Sequence, residues 1–172
     1  MKLISLIFLL FSCSPHYVYI GGITGQDTAV HSINHALESK STYGATIGTG
    51  WTHDRFGYGV EFDYNHREAG LDTTNLRIVC TYDVMTRAKW EVFVGLAGGL
   101  GWSWDDDYDL LCAERDSEGL TGVMDLRVGL RFDLSDRTQL KVQYRLNHIS
   151  RPFIHDRGSN TDEIELGFVI HF

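Results

Sequence analysis

Proline is almost missing from this chain, with 2 in 172 residues, and nothing reads as a proline-rich linker or a second domain. Cysteine is scarce too: 3 residues cannot build a disulfide scaffold, and no CxxC or Cys/His cluster has the spacing of zinc ligands. Positive charge is in deficit, with 15 Lys+Arg against 23 Asp+Glu and a formal charge of −8, so nucleic acid is not an expected partner. A GxxxxGK[ST] phosphate loop and a dinucleotide fingerprint are both absent. No stretch reaches the roughly 18 consecutive apolar residues that a membrane helix needs. Against these absences stand 43% hydrophobic residues, which exclude a disordered chain, and 18 glycines.

Residues 1–14 read as a secretory signal peptide: Met1-Lys2, then an apolar run from Leu3 to Phe11, then Ser12-Cys13-Ser14. Leu10-Phe11-Ser12-Cys13 loosely resembles a lipoprotein cleavage box, which leaves both lipidation at Cys13 and ordinary cleavage near Ser14 open. Residues 15–172 form the expected mature domain, and they alternate with period two almost throughout. Phe56, Tyr58, Val60, Phe62 and Tyr64 fall on one face; Gly57, Gly59, Glu61, Asp63 and Asn65 fall on the other. That is a strand period, not a helix period. The split recurs in Leu76–Val84, Trp90–Trp102, Met124–Phe132, Leu140–Leu146 and Ile164–Phe172, with Val79 and Phe93 as exceptions. Tyr43–Trp51 and, less clearly, His16–Gln26 complete eight strands of about ten residues, the length that crosses a bilayer when tilted.

The polar faces combine glycine with charges of both signs (Glu61, Asp63, Arg127, Arg131, Lys141). Small and paired charged residues suit the side-chain-filled lumen of a small barrel, and the apolar faces then meet lipid. A soluble eight-stranded lipocalin-like barrel would instead want an apolar lumen. Aromatics near strand ends (Trp51, Phe56, Tyr64, Tyr82, Trp90, Trp102) fit interfacial girdles. Short connections at 53–55, 86–88 and 135–137 alternate with longer ones at 27–40, 67–72, 103–120 and 151–161. Outer-membrane barrels have short periplasmic turns and long external loops. The fold expected is therefore all-β: an eight-stranded antiparallel up-and-down transmembrane β-barrel in the bacterial outer membrane, with both termini periplasmic.

The seventh strand carries its lipid-facing register past Leu146 to His148 and Ser150, at the external end. Residues two apart on a strand share a face, so an imidazole and a hydroxyl meet where lipid-facing residues should be apolar. Counting back from Ile164, Asp162 on the eighth strand has the same outward parity, whereas Glu163 points inward. Carboxylate, imidazole and hydroxyl on one patch follow the logic of serine hydrolysis. The sequence His148-Ile149-Ser150 with an acid fourteen positions after the His resembles the signature of the PagL-type lipid A 3-O-deacylase family. Two departures are visible: Asp162 stands where the family usually has Glu, and Arg151-Pro152 follows the Ser where the family usually has Asn.

The resemblance implies hydrolysis of an ester-linked acyl chain of lipid A, with lipopolysaccharide and outer-membrane lipids as partners and with no metal or other cofactor. Ser150 is then the nucleophile, His148 the base and Asp162 the orienting acid. Arg151 stabilises the oxyanion or contacts a lipid A phosphate. A second reading is a non-enzymatic small barrel, resembling the OmpA/OmpX or opacity-type class, that presents loops for adhesion or surface protection. A narrow channel is a third. His31, His35, His66 and His155 read as solvated loop residues, and the acidic stretch from Asp105 to Glu118 as a solvated charge run. Cys80 is expected to face lipid without a partner. The sequence leaves a homo-oligomer open.

Overall fold

A computed structural model describes residues 16–27, 40–67, 71–105, 119–150 and 159–172. They form eight strands: β1 (Tyr17–Asp27), β2 (Lys40–His53), β3 (Phe56–Arg67), β4 (Leu71–Arg87), β5 (Trp90–Asp105), β6 (Gly119–Ser135), β7 (Thr138–Ser150) and β8 (Ser159–His171). Each pairs antiparallel with its sequence neighbours, and β1 pairs with β8 from Tyr17↔His171 to Asp27↔Thr161, closing the barrel. Closure satisfies every strand edge, the condition for placing a sheet in hydrocarbon.

The period-two reading sets the inside and the outside. Ile78, Leu96, Leu126, Leu146, Ile164 and Phe168 project outward and are exposed, as their parity requires. With Phe62, Leu76, Val94, Leu100, Val128, Leu130, Leu166 and Ile170, also exposed, they make an apolar band around the middle of the outer wall, of the kind that bilayer lipids cover. The interior is ionic. Arg77 bridges Asp63 and Asp125 at 3.1 and 2.6 Å. Arg127 bridges Asp125 and Glu61 at 2.7 and 2.8 Å. Arg145 contacts Glu163 and Glu165 at 2.5 and 2.7 Å, and Lys141 lies 3.6 and 3.7 Å from Glu61 and Glu165. Arg77 and Arg145 are fully buried, so these guanidinium groups rest on carboxylates from other strands instead of on water.

The exceptions to alternation find their reason here. Val79 and Phe93 are inward and buried, with Tyr19 beside them in the less regular β1. The Arg131 guanidinium lies 4.4 Å above the Phe93 ring, and the Lys141 ammonium 3.9 Å above the Tyr19 ring. The aromatic faces thus serve as floor for cations near the short-turn end. Tyr19 also hydrogen-bonds Glu165. Close packing of lumen side chains leaves some wall positions without room for a Cβ. At Gly99 a Cβ would stand 1.9 Å from the Leu76 carbonyl oxygen and 2.8 Å from Arg77 Cα, so β4 and β5 approach as closely as they do only with glycine there.

Two-residue turns join β2 to β3, β4 to β5 and β6 to β7. Asp54 in the first of them has φ 54°, a left-handed conformation that Asp tolerates better than most residues. Register shifts at Asp83/Met85 and Asp133/Ser135 sit near this same end, where bulges bend a strand into its turn. Among the expected girdle aromatics, Phe56, Tyr82, Tyr64 and Trp102 are exposed on the outer wall. Trp51 differs: it is buried, stacked on Tyr58 with ring centroids 5.6 Å apart. Cys80 is a free, exposed thiol on the outer wall.

Candidate active site

At the loop end the outward positions of β7 and β8 become polar. His148 is exposed and Ser150 half-buried, both outward on β7, while Asn147 and Ile149 between and beside them are buried in the lumen. Pairing of β7 with β6 and β8 builds a three-strand patch. Met124 and Gly122 of β6 face His148 and Ser150, and Asn160 of β8 faces His148 from the other side. Asp162 faces Leu146, which makes it the diagonal neighbour of His148 on the same outward face. Glu163 is excluded from the patch: it is buried in the lumen against Arg145 and Asn147.

The hydrogen bonds define the chemistry. His148 Nδ1 is 2.6 Å from Asn160 Oδ1. An amide oxygen only accepts, so Nδ1 is the donor of this bond, and in the neutral ring Nε2 is then the nitrogen with the lone pair, the arrangement a general base needs. Ser150 Oγ donates to the Gly122 carbonyl at 3.4 Å, a long bond that holds the hydroxyl weakly. Gly122 leaves the space over that hydroxyl open, since a Cβ there would lie 3.0 Å from Ser150 Oγ. Asp162 Oδ1 accepts from the Tyr144 hydroxyl at 2.6 Å, also on the outer wall.

The structure therefore places His148, Ser150 and Asp162 on one face of the wall at one end, as their parity predicts. It brings neither the Ser150 hydroxyl nor the Asp162 carboxylate to the imidazole: the imidazole is held by Asn160 on the β8 side, the hydroxyl by the Gly122 carbonyl on the β6 side and the carboxylate by Tyr144. Sequence reasoning passed over Asn160, Tyr144 and Gly122. Arg151 lies outside the described residues, as do His31, His35, His155 and the acidic stretch beyond Asp105.

His66, expected as a solvated loop residue, belongs instead to β3, where its Nδ1 lies 2.6 Å from Asp72 Oδ1 and Tyr64 donates to Asp72 Oδ2 at 2.8 Å. A cavity of about 170 Å³ opens at the opposite, short-turn end between Tyr17, Asp83, Arg131 and His171, on the lumen side and away from the patch. Among the described residues, no group of three or more His, Cys, Asp or Glu is placed to hold a metal ion.

Comparison with known proteins agrees with this architecture. No curated protein sequence matches the chain. Among solved structures, Neisserial surface protein A (NspA) superposes with a TM-score of 0.68 at 13% identity, covering 91% of this chain and 96% of its own. The outer membrane enzyme PagL gives 0.62 at 16% identity, covering 90% and 99%. Ail, the attachment invasion locus protein of Yersinia pestis, gives 0.54 at 11% identity, covering 93% and 100%. At these identities the likeness is one of fold. The profile of the outer membrane protein beta-barrel domain matches residues 12–172, nearly the whole chain, and the closed barrel with its apolar outer wall fits it in every strand: this chain belongs to that family and is a protein of the bacterial outer membrane.

Proposed function

We propose that the protein is a PagL-type serine esterase that removes an ester-linked acyl chain from lipid A. The observation that carries this reading is an imidazole whose Nδ1 lies 2.6 Å from the Asn160 amide oxygen, two residues along the strand from a serine, on the lipid-facing wall at the loop end of the barrel. Such groups bring no benefit to a wall that merely contacts acyl chains. Facing outward, they meet a substrate that is itself a constituent of the outer leaflet, without passage through the ion-filled lumen. The fold shared with the outer membrane enzyme PagL is in keeping with this.

In the proposed reaction Ser150 Oγ attacks the ester carbonyl while His148 Nε2 takes its proton. The tetrahedral intermediate collapses as the imidazolium returns that proton to the departing sugar oxygen. Water, deprotonated by the same nitrogen, then releases the fatty acid from the acyl-serine and regenerates the hydroxyl. Asp162, the acid of the family signature, adds negative charge on the same face as the imidazolium, and Arg151 is positioned by sequence to meet the oxyanion or a lipid A phosphate. The expected outcome in cells producing the protein is lipid A lighter by one acyl chain in mass spectra. Lipid A of unchanged mass, with the barrel folded in the membrane, overturns the reading.

The second reading, a non-enzymatic barrel that displays its loops, draws on the comparable likeness to NspA and Ail. It predicts that removing residues 28–39 and 106–118 abolishes surface attachment while lipid A stays intact throughout.

A further inference from the structure

We infer that Asn160, a neutral amide, is the positioning residue for His148, in the role that a carboxylate fills in the usual serine triad. This rests on the esterase reading above. The register of β7 against β8 sets Asn160 directly opposite His148, and the Nδ1···Oδ1 separation is 2.6 Å. The alternative orienter, Asp162, is two residues further along β8, opposite Leu146, and its Oδ1 already accepts the Tyr144 phenol at 2.6 Å. To orient His148, Asp162 would have to reach diagonally across the strands from opposite Leu146, while Asn160 already stands directly opposite the ring.

The substitution of amide for carboxylate has a chemical consequence. An amide oxygen fixes the tautomer and the ring plane as a carboxylate does, because both accept from Nδ1. It carries no net charge, so it favours the imidazolium less strongly during the reaction. At a headgroup-level wall, where an unpaired carboxylate beside lipid is costly, a neutral orienter also avoids leaving a second charge facing acyl chains whenever the ring is uncharged. Asp162, paired with Tyr144, then forms a separate hydrogen-bonded unit below the reacting atoms, suited to contacting the sugar portion of the substrate and not the imidazole.

The test uses the full-length protein refolded in detergent with purified lipopolysaccharide, and reads both the ring and the reaction. The His148 tautomer is read from imidazole nitrogen shifts. We expect the Nδ1–H form in the wild type and in Asp162→Asn, and a mixture in Asn160→Ala. Turnover is expected to fall roughly 10²-fold or more in Asn160→Ala, with the apparent KM little changed, and to fall less in Asp162→Asn. Asn160→Asp should keep the Nδ1–H form, restore turnover, and move the acid limb of the pH–rate profile upward, because a carboxylate holds the imidazolium to higher pH. A purely structural role for Asn160 would move none of these ring signals. Persistence of the Nδ1–H form in Asn160→Ala, with its loss in Asp162→Asn, overturns the assignment. A wild type that leaves lipopolysaccharide acylated while showing the expected tautomers overturns the esterase reading and leaves Asn160 as the group that holds the ring.

Discussion

Ser150→Ala should abolish lipid A deacylation, with turnover falling about 10⁴-fold or more, while the barrel stays folded. The size of the effect follows from removing the only atom in the proposed mechanism that forms a covalent bond to the substrate. Its harmlessness to the fold follows from position: Ser150 is half-buried on the outer wall, and its Oγ makes a single long bond of 3.4 Å to Gly122. Loss of so weak a contact costs little. The measurement pairs mass spectra of lipid A with the heat-dependent gel mobility of the barrel, so that an unfolded variant cannot pass for an inactive one. Deacylation continuing in a folded Ser150→Ala protein would remove Ser150 as the nucleophile.

Arg145→Met is expected to have the largest effect on stability, a loss of about 3–5 kcal/mol. Arg145 is fully buried and holds Glu163 through Nε and Nη2, at 3.0 and 2.5 Å, and Glu165 through Nη1 at 2.7 Å. Methionine fills much of the space but leaves both carboxylates in the lumen without their strongest partner. Glu163 retains Thr161 and Asn147, and Glu165 retains Tyr19, Gln143 and the more distant Lys141, none of which supplies a comparable charge at contact distance. The folded band in gel shift and the unfolding midpoint in urea should both move. Adding Glu163→Gln to Arg145→Met should recover part of the loss, since it removes one of the stranded charges. A midpoint unchanged in Arg145→Met would mean that water, and not Arg145, neutralises this part of the lumen.

Why these features could be read in advance, or not, follows from what alternation encodes. Inside and outside are a matter of parity within one strand, and parity is local. That is why Leu126 and Ile164 are outward, why Arg127 and Glu61 are inward, and why parity alone separates the inward Glu163 from the outward Asp162. Facing pairs across strands are a different matter. The partner of His148 depends on how many residues of the 151–158 connection are consumed before β8 begins to pair. A shift of two residues preserves every side chain's inside or outside placement, yet it exchanges Asn160 for Asp162 opposite the imidazole. Alternation is blind to that shift. The same blindness hides Gly122, which meets Ser150 across the β6–β7 pairing, and Asp72, which pairs with His66 across β3 and β4. Trp51 escaped for a third reason: its outward parity says nothing about a neighbouring ring, and it is Tyr58 that covers one of its faces.

The seam between β1 and β8 unites the first strand with the last. Until it zips, the backbone amides of β1 have no companion on that side, and a half-assembled cylinder would carry an open edge into hydrocarbon. Insertion must therefore await the arrival of the final strand. That strand also delivers Asn160 and Asp162 to the patch, so a nascent or truncated polypeptide holds a serine and a histidine with nothing to align them. On the proposed esterase reading, hydrolytic competence would thereby be confined to the finished cylinder.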